Sequence, residues 1–405
     1  MPREDSVCRV CARPAIDEWL DFGPQAIRNQ FLRSREEQEY RHGLAIGCCA
    51  VCGTVQLASP PPVSELRPRF DWISYNEPER HLDELVERVA RLPGVTAQSV
   101  FAGVSYKDDS TLARLARRGV EATWRPDPRR DLGIDAACAG IESIQERLAP
   151  GCAGELIARY GRPNVLIVRH LLEHTHDTRG ALAWARGLVG PEGYVVFEVP
   201  DATRALARLD YTTVWEEHVL YFTPATFRGC LERAGFEVVS LESYSYTLEN
   251  SLVAIVRAGR VESGSAVPAE EFDRARHFIK QFPRTRERIR RRVEAAGRVA
   301  MLGAGHLAGA FINLYGLENA VEFVADDNPN KQGLFMPGSR LPILPSSELI
   351  RRVIDLCLMT VRPEIENDVA RRNEAFRSRG GVLASVFPDS PFAFGRLETT
   401  DGVAA

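Results

Sequence analysis

The sequence lacks the features that direct a chain into a membrane or out of the cell. It contains no run of about 18 apolar residues, and its first residues do not form the charged-then-apolar pattern of a signal peptide. It also has no long basic run, and its formal net charge is −4. These absences predict a cytoplasmic protein that interacts with neither a membrane nor nucleic acid.

The composition is typical of a soluble globular protein, with 44% apolar and 26% charged residues. The 405 residues are enough for two or three domains, each with its own core. In a reducing compartment the nine cysteines would be free thiols or metal ligands rather than disulfides.

Four of the cysteines form two C-x-x-C pairs. Cys8 and Cys11 make the first pair, and Cys49 and Cys52 make the second, which Gly53 follows. Two such pairs are typical of a tetrahedral zinc site, although four unrelated buried cysteines or the disulfides of a secreted protein would give the same letters. We predict structural zinc. Because a closed four-cysteine site stabilises a small domain and takes no part in catalysis, the function must lie elsewhere in the chain.

Apolar periodicity and breaker residues divide the chain into four segments. Residues 1–62 form the predicted zinc-binding module, which ends in a proline run. In residues 65–258, short apolar runs alternate with helical patterns, which predicts a parallel sheet covered by helices and closed by an antiparallel pair. Residues 259–297 are a predicted linker and long charged helix, and residues 298–395 a second, smaller α/β domain of Rossmann type.

The same patterns predict individual elements. The predicted strands are residues 99–104, 120–124, 164–168, 194–199, 237–242, 251–257, 299–302, 322–325, 354–359 and 382–386. The predicted helices are residues 82–92, 111–118, 179–188, 224–234 and 269–296.

The densest group of ionisable side chains follows one of these strands. It runs from Arg169 to Asp177 and includes His170 and His174. Ligands of open α/β sheets bind outside the carboxyl ends of the strands, so the position favours a functional role. His170 and His174 are four residues apart and could ligate a metal from one helical face, but no third ligand is placed. A polar loop with one catalytic histidine is the favoured interpretation.

A second group contains Glu217 beside His218, within Trp215–Phe222. A neighbouring acid can orient an imidazole and raise its basicity, and histidine is the usual general base near neutral pH. Taken alone, a loop histidine with satisfied hydrogen bonds is the commoner case. Two histidine-rich loops in one α/β domain favour an acid/base site.

A third group lies in the C-terminal segment. Gly303, Gly305 and Gly309 form a G-x-G-x-x-x-G pattern, and Asp326 and Asp327 end the next predicted strand. An acid in that position ordinarily binds a ribose hydroxyl. The helix after Gly305 could bind a pyrophosphate at its N-terminus, or the glycines could merely allow a helix to pack on a strand.

Taken together, the order of these groups resembles the nucleotide-sugar C-methyltransferases, which act on 4-keto deoxysugars linked to a nucleoside diphosphate. The resemblance rests on the four cysteines with Gly53–Leu57, on Arg169–His174, on Glu217-His218 with Tyr221-Phe222, and on Asp327–Gly333 with Pro337-Gly338. It implies a Rossmann-like class I methyltransferase domain, flanked by the zinc module and a second Rossmann-like domain. It also implies S-adenosylmethionine as methyl donor, a nucleotide-sugar substrate, and a monomer or homodimer.

The resemblance further implies roles for single residues. His218 would be the base that enolises the keto sugar, supported by Glu217 and His174. The implied substrate contacts are Tyr75, Asn76, Tyr221 and Lys331. The implied cofactor contacts are Gly103, Ser105, Asp108, Asp127 and His170.

The loop after the first strand of the central domain departs from the family pattern E-x-G-x-N-x-G. The leading acid is missing, Gly103 is its one glycine, and Lys107 adds a cation where a sulfonium would bind. An alternative function is therefore an epimerase or isomerase that has lost S-adenosylmethionine and uses His218 for enolisation. A third interpretation, a non-catalytic protein that binds sugar nucleotides, is disfavoured by the two histidine clusters.

Overall fold

The computed structural model describes residues 7–70, 72–73, 77–135, 140–259 and 264–396. The strands of this part of the chain are β1 (Ile16–Ala26), β2 (Arg41–Cys49), β3 (Val55–Leu57), β4 (Val100–Ala102), β5 (Ala122–Trp124), β6 (Val165–Arg169), β7 (Tyr194–Asp201), β8 (Leu220–Tyr221), β9 (Phe236–Tyr244), β10 (Asn250–Ala258), β11 (Val299–Leu302), β12 (Val321–Ala325), β13 (Ile343–Leu344), β14 (Leu356–Met359) and β15 (Val382–Ser385).

The α-helices of the same residues are α1 (Val63–Leu66), α2 (Leu82–Ala90), α3 (Asp109–Arg117), α4 (Pro128–Leu132), α5 (Ile141–Gln145), α6 (Pro150–Tyr160), α7 (Thr178–Val189), α8 (Thr203–Arg208), α9 (Pro224–Arg233), α10 (Ala269–Glu294), α11 (His306–Tyr315), α12 (Glu348–Arg351), α13 (Pro363–Arg372) and α14 (Glu374–Arg377). Each predicted strand and helix overlaps an observed element of its type. None of the described helices is both long and apolar enough to span a bilayer.

The first sheet belongs to two segments of the chain. Its order is β1-β2-β3-β8, and all neighbouring strands are antiparallel. Strands β1 to β3 come from the zinc-binding module, whereas β8 follows directly after His218. The module therefore shares its sheet with the segment in which we predict the catalytic base.

The central sheet has the order β5-β4-β6-β7-β10-β9. Strands β5, β4, β6 and β7 are parallel, and β10 pairs antiparallel with both β7 and β9. Strand β6 is buried along its whole length, as expected of a strand covered by helices on both faces. The predicted parallel sheet with a closing antiparallel pair is confirmed.

The third sheet is parallel throughout, with the order β13-β12-β11-β14-β15. It confirms the predicted second α/β unit. Helix α10 precedes it and buries an apolar stripe in a core that all segments share: the ring of Phe282 lies 4.7 Å from that of Phe22 and 4.8 Å from that of Tyr211. The hydroxyl of Tyr211 also donates to the backbone oxygen of Phe278 at 2.6 Å. The long helix thus packs against the first sheet, the C-terminal unit and the segment that follows β7.

Candidate active site

The four predicted metal ligands converge at one end of the first sheet. The Sγ atoms of Cys8 and Cys52 are 3.5 Å apart, those of Cys11 and Cys49 are 3.6 Å apart, and all four lie within 4.8 Å of one another. Zinc bound tetrahedrally at about 2.3 Å places its sulfurs about 3.8 Å apart. Gly53, at φ +67°, donates to the backbone oxygen of Cys49 at 2.8 Å and closes the second turn. The four thiols fit zinc.

A cavity of about 1020 Å³ lies at the carboxyl ends of β4 and β6. Its wall includes Asn29 of the zinc-binding module, Arg169 and His170 at the end of β6, and His306 and Arg362 of the C-terminal unit. This volume is at the upper end of the range for small-molecule sites. All parts of the molecule therefore contribute to one ligand-sized space, at the sheet edge where α/β proteins bind ligands.

The three predicted catalytic side chains line this cavity. The rings of His174 and His218 meet edge to face, with centroids 4.8 Å apart and planes at 84°. One acceptor atom each from Glu142, His174 and Glu217 lies within 4.8 Å of the others. The two loops are joined by a backbone hydrogen bond, because the N–H of Val219 donates to the oxygen of Glu173 at 2.7 Å. The structure brings the two histidine-rich segments together.

Burial decides the charge of these groups. It lowers the pKa of His218 to about 4 and the pKa of His174 well below the ordinary value, so both imidazoles are neutral near pH 7. Burial also raises the pKa of Glu217 well above its ordinary value, and the nearby carboxyls of Glu142 and Glu216 add to the rise. The site thus combines neutral imidazoles with a carboxyl group whose pKa is raised toward its protonated form.

His170 is a cation in the cavity wall. It sits at φ +47°, an uncommon conformation for a residue with a side chain. Its Nε2 lies 3.1 Å from Oε1 of Glu198, and its Nδ1 lies 3.4 Å from Oε1 of Glu173. Burial opposes the charge, but Glu77 and Glu198 raise the pKa of His170 well above its usual value. The surrounding carboxylates hold an imidazolium at the edge of the ligand space.

The predicted cofactor loop is hydrogen-bonded within itself. The carboxylate of Asp108 is buried and accepts from the backbone N–H groups of Val104 at 2.7 Å, Ser105 at 2.9 Å and Arg169 at 2.8 Å. A Cβ on Gly103 would lie 2.8 Å from the Cβ of Asp108, so glycine permits this contact. Gly103, Ser105 and Asp108 are not among the described residues that line the cavity, whereas His170 is.

Other predicted contacts also lie elsewhere. Asp127 is exposed and caps α4 by accepting from the N–H of Arg130 at 2.8 Å. The hydroxyl of Tyr221 bonds the backbone of Trp215, accepting from its N–H at 2.9 Å. Lys331 lies 3.0 Å from Oδ2 of Asp326. None of the three lines the described cavity, and Tyr75 and Asn76 fall outside the described residues.

Two cavity residues were missed by the sequence reasoning. Asn29 donates from Nδ2 to Oε1 of Glu217 at 2.6 Å, and nothing in its local sequence signals this contact. His306 opens α11, and its ring stacks on that of Trp215 with centroids 4.1 Å apart and planes 8° from parallel. The position of His306 at the carboxyl end of β11 is the signal that would have found it.

Three family models match the chain in succession. A putative zinc-binding domain matches residues 8–66, a methyltransferase domain residues 96–241, and a C-methyltransferase C-terminal domain residues 260–388. These matches, together with the fold, identify a C-methyltransferase with an N-terminal zinc-binding domain. In this order the chain combines a zinc-binding domain, a methyltransferase domain and a C-methyltransferase C-terminal domain.

Individual relatives were also found. The C-methyltransferase NovU of Streptomyces niveus is 24% identical over 410 aligned residues, which cover 94% of this chain and 95% of that protein. A 1,6-didemethyltoxoflavin-N1-methyltransferase from Burkholderia thailandensis has a TM-score of 0.30 at 14% identity and covers 44% of this chain and 77% of its own. The CcbJ methyltransferase from Streptomyces caelestis has a TM-score of 0.30 at 15% identity, and the match covers 47% of this chain and 100% of that one. TM-scores of this size carry no functional argument.

The protein is thus a methyltransferase that uses S-adenosylmethionine and contains structural zinc. The cavity has room for a molecule of the size of S-adenosylmethionine, and its described wall carries more carboxyl groups than lysine and arginine side chains. Lys107, the cation of the degenerate loop, lies 2.5 Å from Oε1 of Glu77 and is neutralised there. The domain matches give no support to the cofactor-free epimerase or isomerase.

Proposed function

We propose that this enzyme methylates the carbon beside the ketone of a 4-keto deoxysugar linked to a nucleoside diphosphate. The observation that carries the proposal is the pair of neutral histidines beside Glu217, a carboxyl whose pKa burial raises, on one cavity wall. A ketone acidifies the neighbouring C–H bond, and enolisation needs a neutral base together with hydrogen-bond donors at the oxygen. The site offers both.

His218 is the proposed base. Its imidazole is neutral, lines the cavity, and can take the proton from the carbon next to the ketone. Its place is fixed by strand β8, which begins two residues later, and by a backbone hydrogen bond from its N–H to the oxygen of Trp215 at 3.2 Å. The proton that it accepts leaves to solvent after the methyl group has replaced it on the sugar.

Glu217 and His174 are the proposed donors to the enolate oxygen. A protonated carboxylic acid in a buried site donates a hydrogen bond to a developing oxyanion without bringing a negative charge of its own. The carboxyl of Glu217 accepts from Asn29 through Oε1, which fixes its orientation. The Nδ1 atom of His174 has no hydrogen-bond partner among the described residues and faces a carboxyl oxygen of Glu142 at 3.5 Å.

S-adenosylmethionine supplies an electrophilic methyl group to the enolate carbon. We propose that His170 and other residues that line the cavity at the carboxyl ends of β4 and β6 hold this donor, while Asp108 keeps the loop after Gly103 in shape through its bonds to the N–H groups of Val104 and Ser105. The contribution of these residues is to bind and orient the donor and to keep water away from the enolate.

The test is product identification. The purified enzyme is incubated with S-adenosylmethionine that carries a deuterated methyl group and with dTDP- and GDP-linked 4-keto deoxysugars. We expect a product in which the labelled methyl is bonded to the carbon next to the ketone, identified by mass spectrometry and NMR. Transfer to oxygen or nitrogen, or epimerisation of the sugar without methyl transfer, would contradict the proposal.

A further inference from the structure

We propose that the zinc-binding module is part of the catalytic apparatus: its folded form fixes the catalytic loop, residues 214–219, and Asn29 positions Glu217. The link between zinc and the loop stands on contacts alone, whereas the catalytic consequence rests on the proposed function. If the zinc-binding module stabilised only its own fold, the catalytic loop would stay in place when the metal is lost. The contacts described below predict the opposite.

Strand pairing is the first link. Strand β3 begins three residues after the zinc ligand Cys52, and it pairs antiparallel with β8, which begins two residues after His218. The N–H of Leu57 also donates to the backbone oxygen of Val219 at 2.9 Å. Because the pair is antiparallel, the second cysteine turn and the proposed base lie at its opposite ends, each within three residues of a paired strand, and melting of β3 removes the partner of β8.

The first cysteine turn is connected to the same strand. Arg9 lies between the ligands Cys8 and Cys11; its N–H donates to Oε1 of Gln56 at 3.1 Å, and its Nη1 donates to the oxygen of Leu57 at 2.9 Å. Zinc coordination holds both turns together, so it fixes Arg9 against β3. Both halves of the metal site thus act on the strand that supports β8.

The turn after β1 is the second link. Arg28 is fully buried; its N–H donates to Oε1 of Glu216, and its Nη1 donates to the oxygen of Val214 at 2.6 Å. Asn29 is 2% exposed and donates to Glu217 at 2.6 Å. Buried polar groups that lose such partners are strongly destabilised, so the loop depends on this turn. Two consecutive residues of the module therefore make three hydrogen bonds to residues 214–217.

The role of Asn29 has a distinct signature. Its N–H group stabilises the charged form of Glu217, so its removal should raise the pKa of Glu217 further. The other groups that act on this carboxyl are Glu142 of α5, Glu216 of the same loop and Lys107 after β4. If the protonated acid is required, loss of Asn29 moves the alkaline limb of the activity profile to higher pH. A purely structural defect lowers the rate without moving that limb.

The first experiment is hydrogen exchange with mass spectrometry on the full-length protein, with its zinc and after brief treatment with a strong chelator. We expect peptides that cover residues 45–57 and 214–222 to lose protection together, while peptides from β14 and β15 keep theirs. Retained protection of residues 214–222 after the metal is lost would overturn the proposal. Equal loss in β14 and β15 would also overturn it, since zinc would then stabilise the whole fold rather than the loop.

The second experiment compares Asn29→Leu with Gln30→Leu. The side chain of Gln30 bonds the backbone oxygens of Glu65 and Arg67 and not the catalytic loop, so it is the matched control. Both variants should bind one zinc per chain. Asn29→Leu should lower the rate of methyl transfer to the keto-sugar probe about 100-fold, as expected for a misplaced catalytic group. It should also move the alkaline limb of the activity profile to higher pH. A parental rate and pH profile in Asn29→Leu would overturn the proposal. If no keto-sugar probe reacts with the parent, the proposed function fails and hydrogen exchange alone decides the coupling.

Discussion

The central and C-terminal units both open with a strand, a glycine turn and a helix, yet neither turn presents free N–H groups to a ligand. In the central unit, Asp108 accepts from the N–H groups of Val104 and Ser105. In the C-terminal unit, Asp326 accepts from the N–H of Ala304 at 2.9 Å. The described cavity lies between the units instead. In this molecule, the glycine patterns mark turns, whereas His174 and His306, which line the described cavity, each have a buried nitrogen without a partner among the described residues.

The C-terminal turn favours the packing interpretation over the pyrophosphate one. The carboxylate of Asp326 accepts from the N–H of Ala304, and its negative charge would repel a phosphate from the turn. Gly303 has φ +104°, which side chains rarely adopt, and a Cβ on Gly309 would lie 3.5 Å from the side chain of Arg28. Gly303 therefore allows a sharp turn, whereas a Cβ at Gly309 would make only an ordinary van der Waals contact with the zinc-binding module.

The histidines that line the cavity differ from the glycine turns, because some of their buried nitrogens have no hydrogen-bond partner in the part of the chain that the structure describes. Among the described residues, Nδ1 of His174 and Nε2 of His306 have no hydrogen-bond partner. Both nitrogens are buried, and burial without a partner costs free energy. A ligand that bonds to them removes this cost. The predictions below test whether function follows these groups rather than the glycine turns.

The largest effect is expected for His218→Asn. Loss of the base should lower turnover roughly 10²–10⁴-fold, the usual contribution of a general base. The affinity for the nucleotide sugar should change much less, because the imidazole acts mainly in the transition state. Methyl transfer from labelled S-adenosylmethionine measures both. A near-normal rate would remove His218 from the mechanism and make His174 the next candidate.

A smaller loss is expected at Glu217, and it should depend on the replacement. Glu217→Ala removes the donor and should lower the rate by about 10²-fold. Glu217→Gln keeps a neutral donor and should lose much less. The measurement is kcat for methyl transfer in both variants, at parental zinc content. If Gln is as damaging as Ala, Glu217 acts as a carboxylate and the proposed donor role is wrong.

The pH dependence should follow the burial of these groups. The base must be neutral, and the pKa of His218 is lowered to about 4, so activity should fall only as pH drops toward that value. The acid must be protonated, and the pKa of Glu217 is raised, so activity should fall as pH rises through that pKa. On its acid side, the profile of kcat/KM should stay flat through the ordinary pKa range of histidine. An acid limb near the ordinary histidine pKa would contradict this assignment.

His306 should affect binding more than catalysis. His306→Ala and His306→Phe both remove Nε2, and each should raise KM roughly tenfold, the cost of one lost hydrogen bond to a ligand. The phenylalanine variant keeps a ring that can stack on Trp215. A parental KM in that variant would show that His306 only packs.

The smallest effect is expected at the C-terminal turn. Asp326→Asn keeps an acceptor for the N–H of Ala304, so the turn should persist. The affinity for a nucleoside diphosphate, measured by calorimetry, should stay unchanged. Clearly tighter binding in this variant would show that phosphate does approach the turn. It would contradict the view that the ligand binds in the cavity and not at the glycine turn.

Much of the fold could be predicted because the signals are local. The alternation of strands and helices predicts both parallel sheets, and the charged periodic run of residues 269–296 predicts helix α10. The shared first sheet could not be predicted. Pairing of β3 with β8 joins residues 55 and 221, and β8 is too short to give a period of its own. The division of the chain into the four predicted segments stays a prediction.

The residues of the candidate site also fall into those that the sequence could predict and those that it could not. His174, Glu217 and His218 could be placed together because strand ends of a parallel sheet meet at one edge. Their roles stay predictions. Asn29 and His306 could not be predicted as partners of this loop, since both contacts depend on how separate units pack. Asp108 looked like a ligand contact because sequence does not show that backbone N–H groups already surround its carboxylate.

One measurement tests the proposed enolisation most directly. The enzyme is incubated in deuterated water with a nucleotide-linked 4-keto deoxysugar and a non-reactive analogue of S-adenosylmethionine, and the sugar is analysed by NMR. We expect deuterium at the carbon beside the ketone with the parent enzyme and none with His218→Asn. With labelled S-adenosylmethionine, the methyl group should appear at that same carbon. Methyl transfer by the parent without any exchange, or exchange that persists in His218→Asn, would contradict the account.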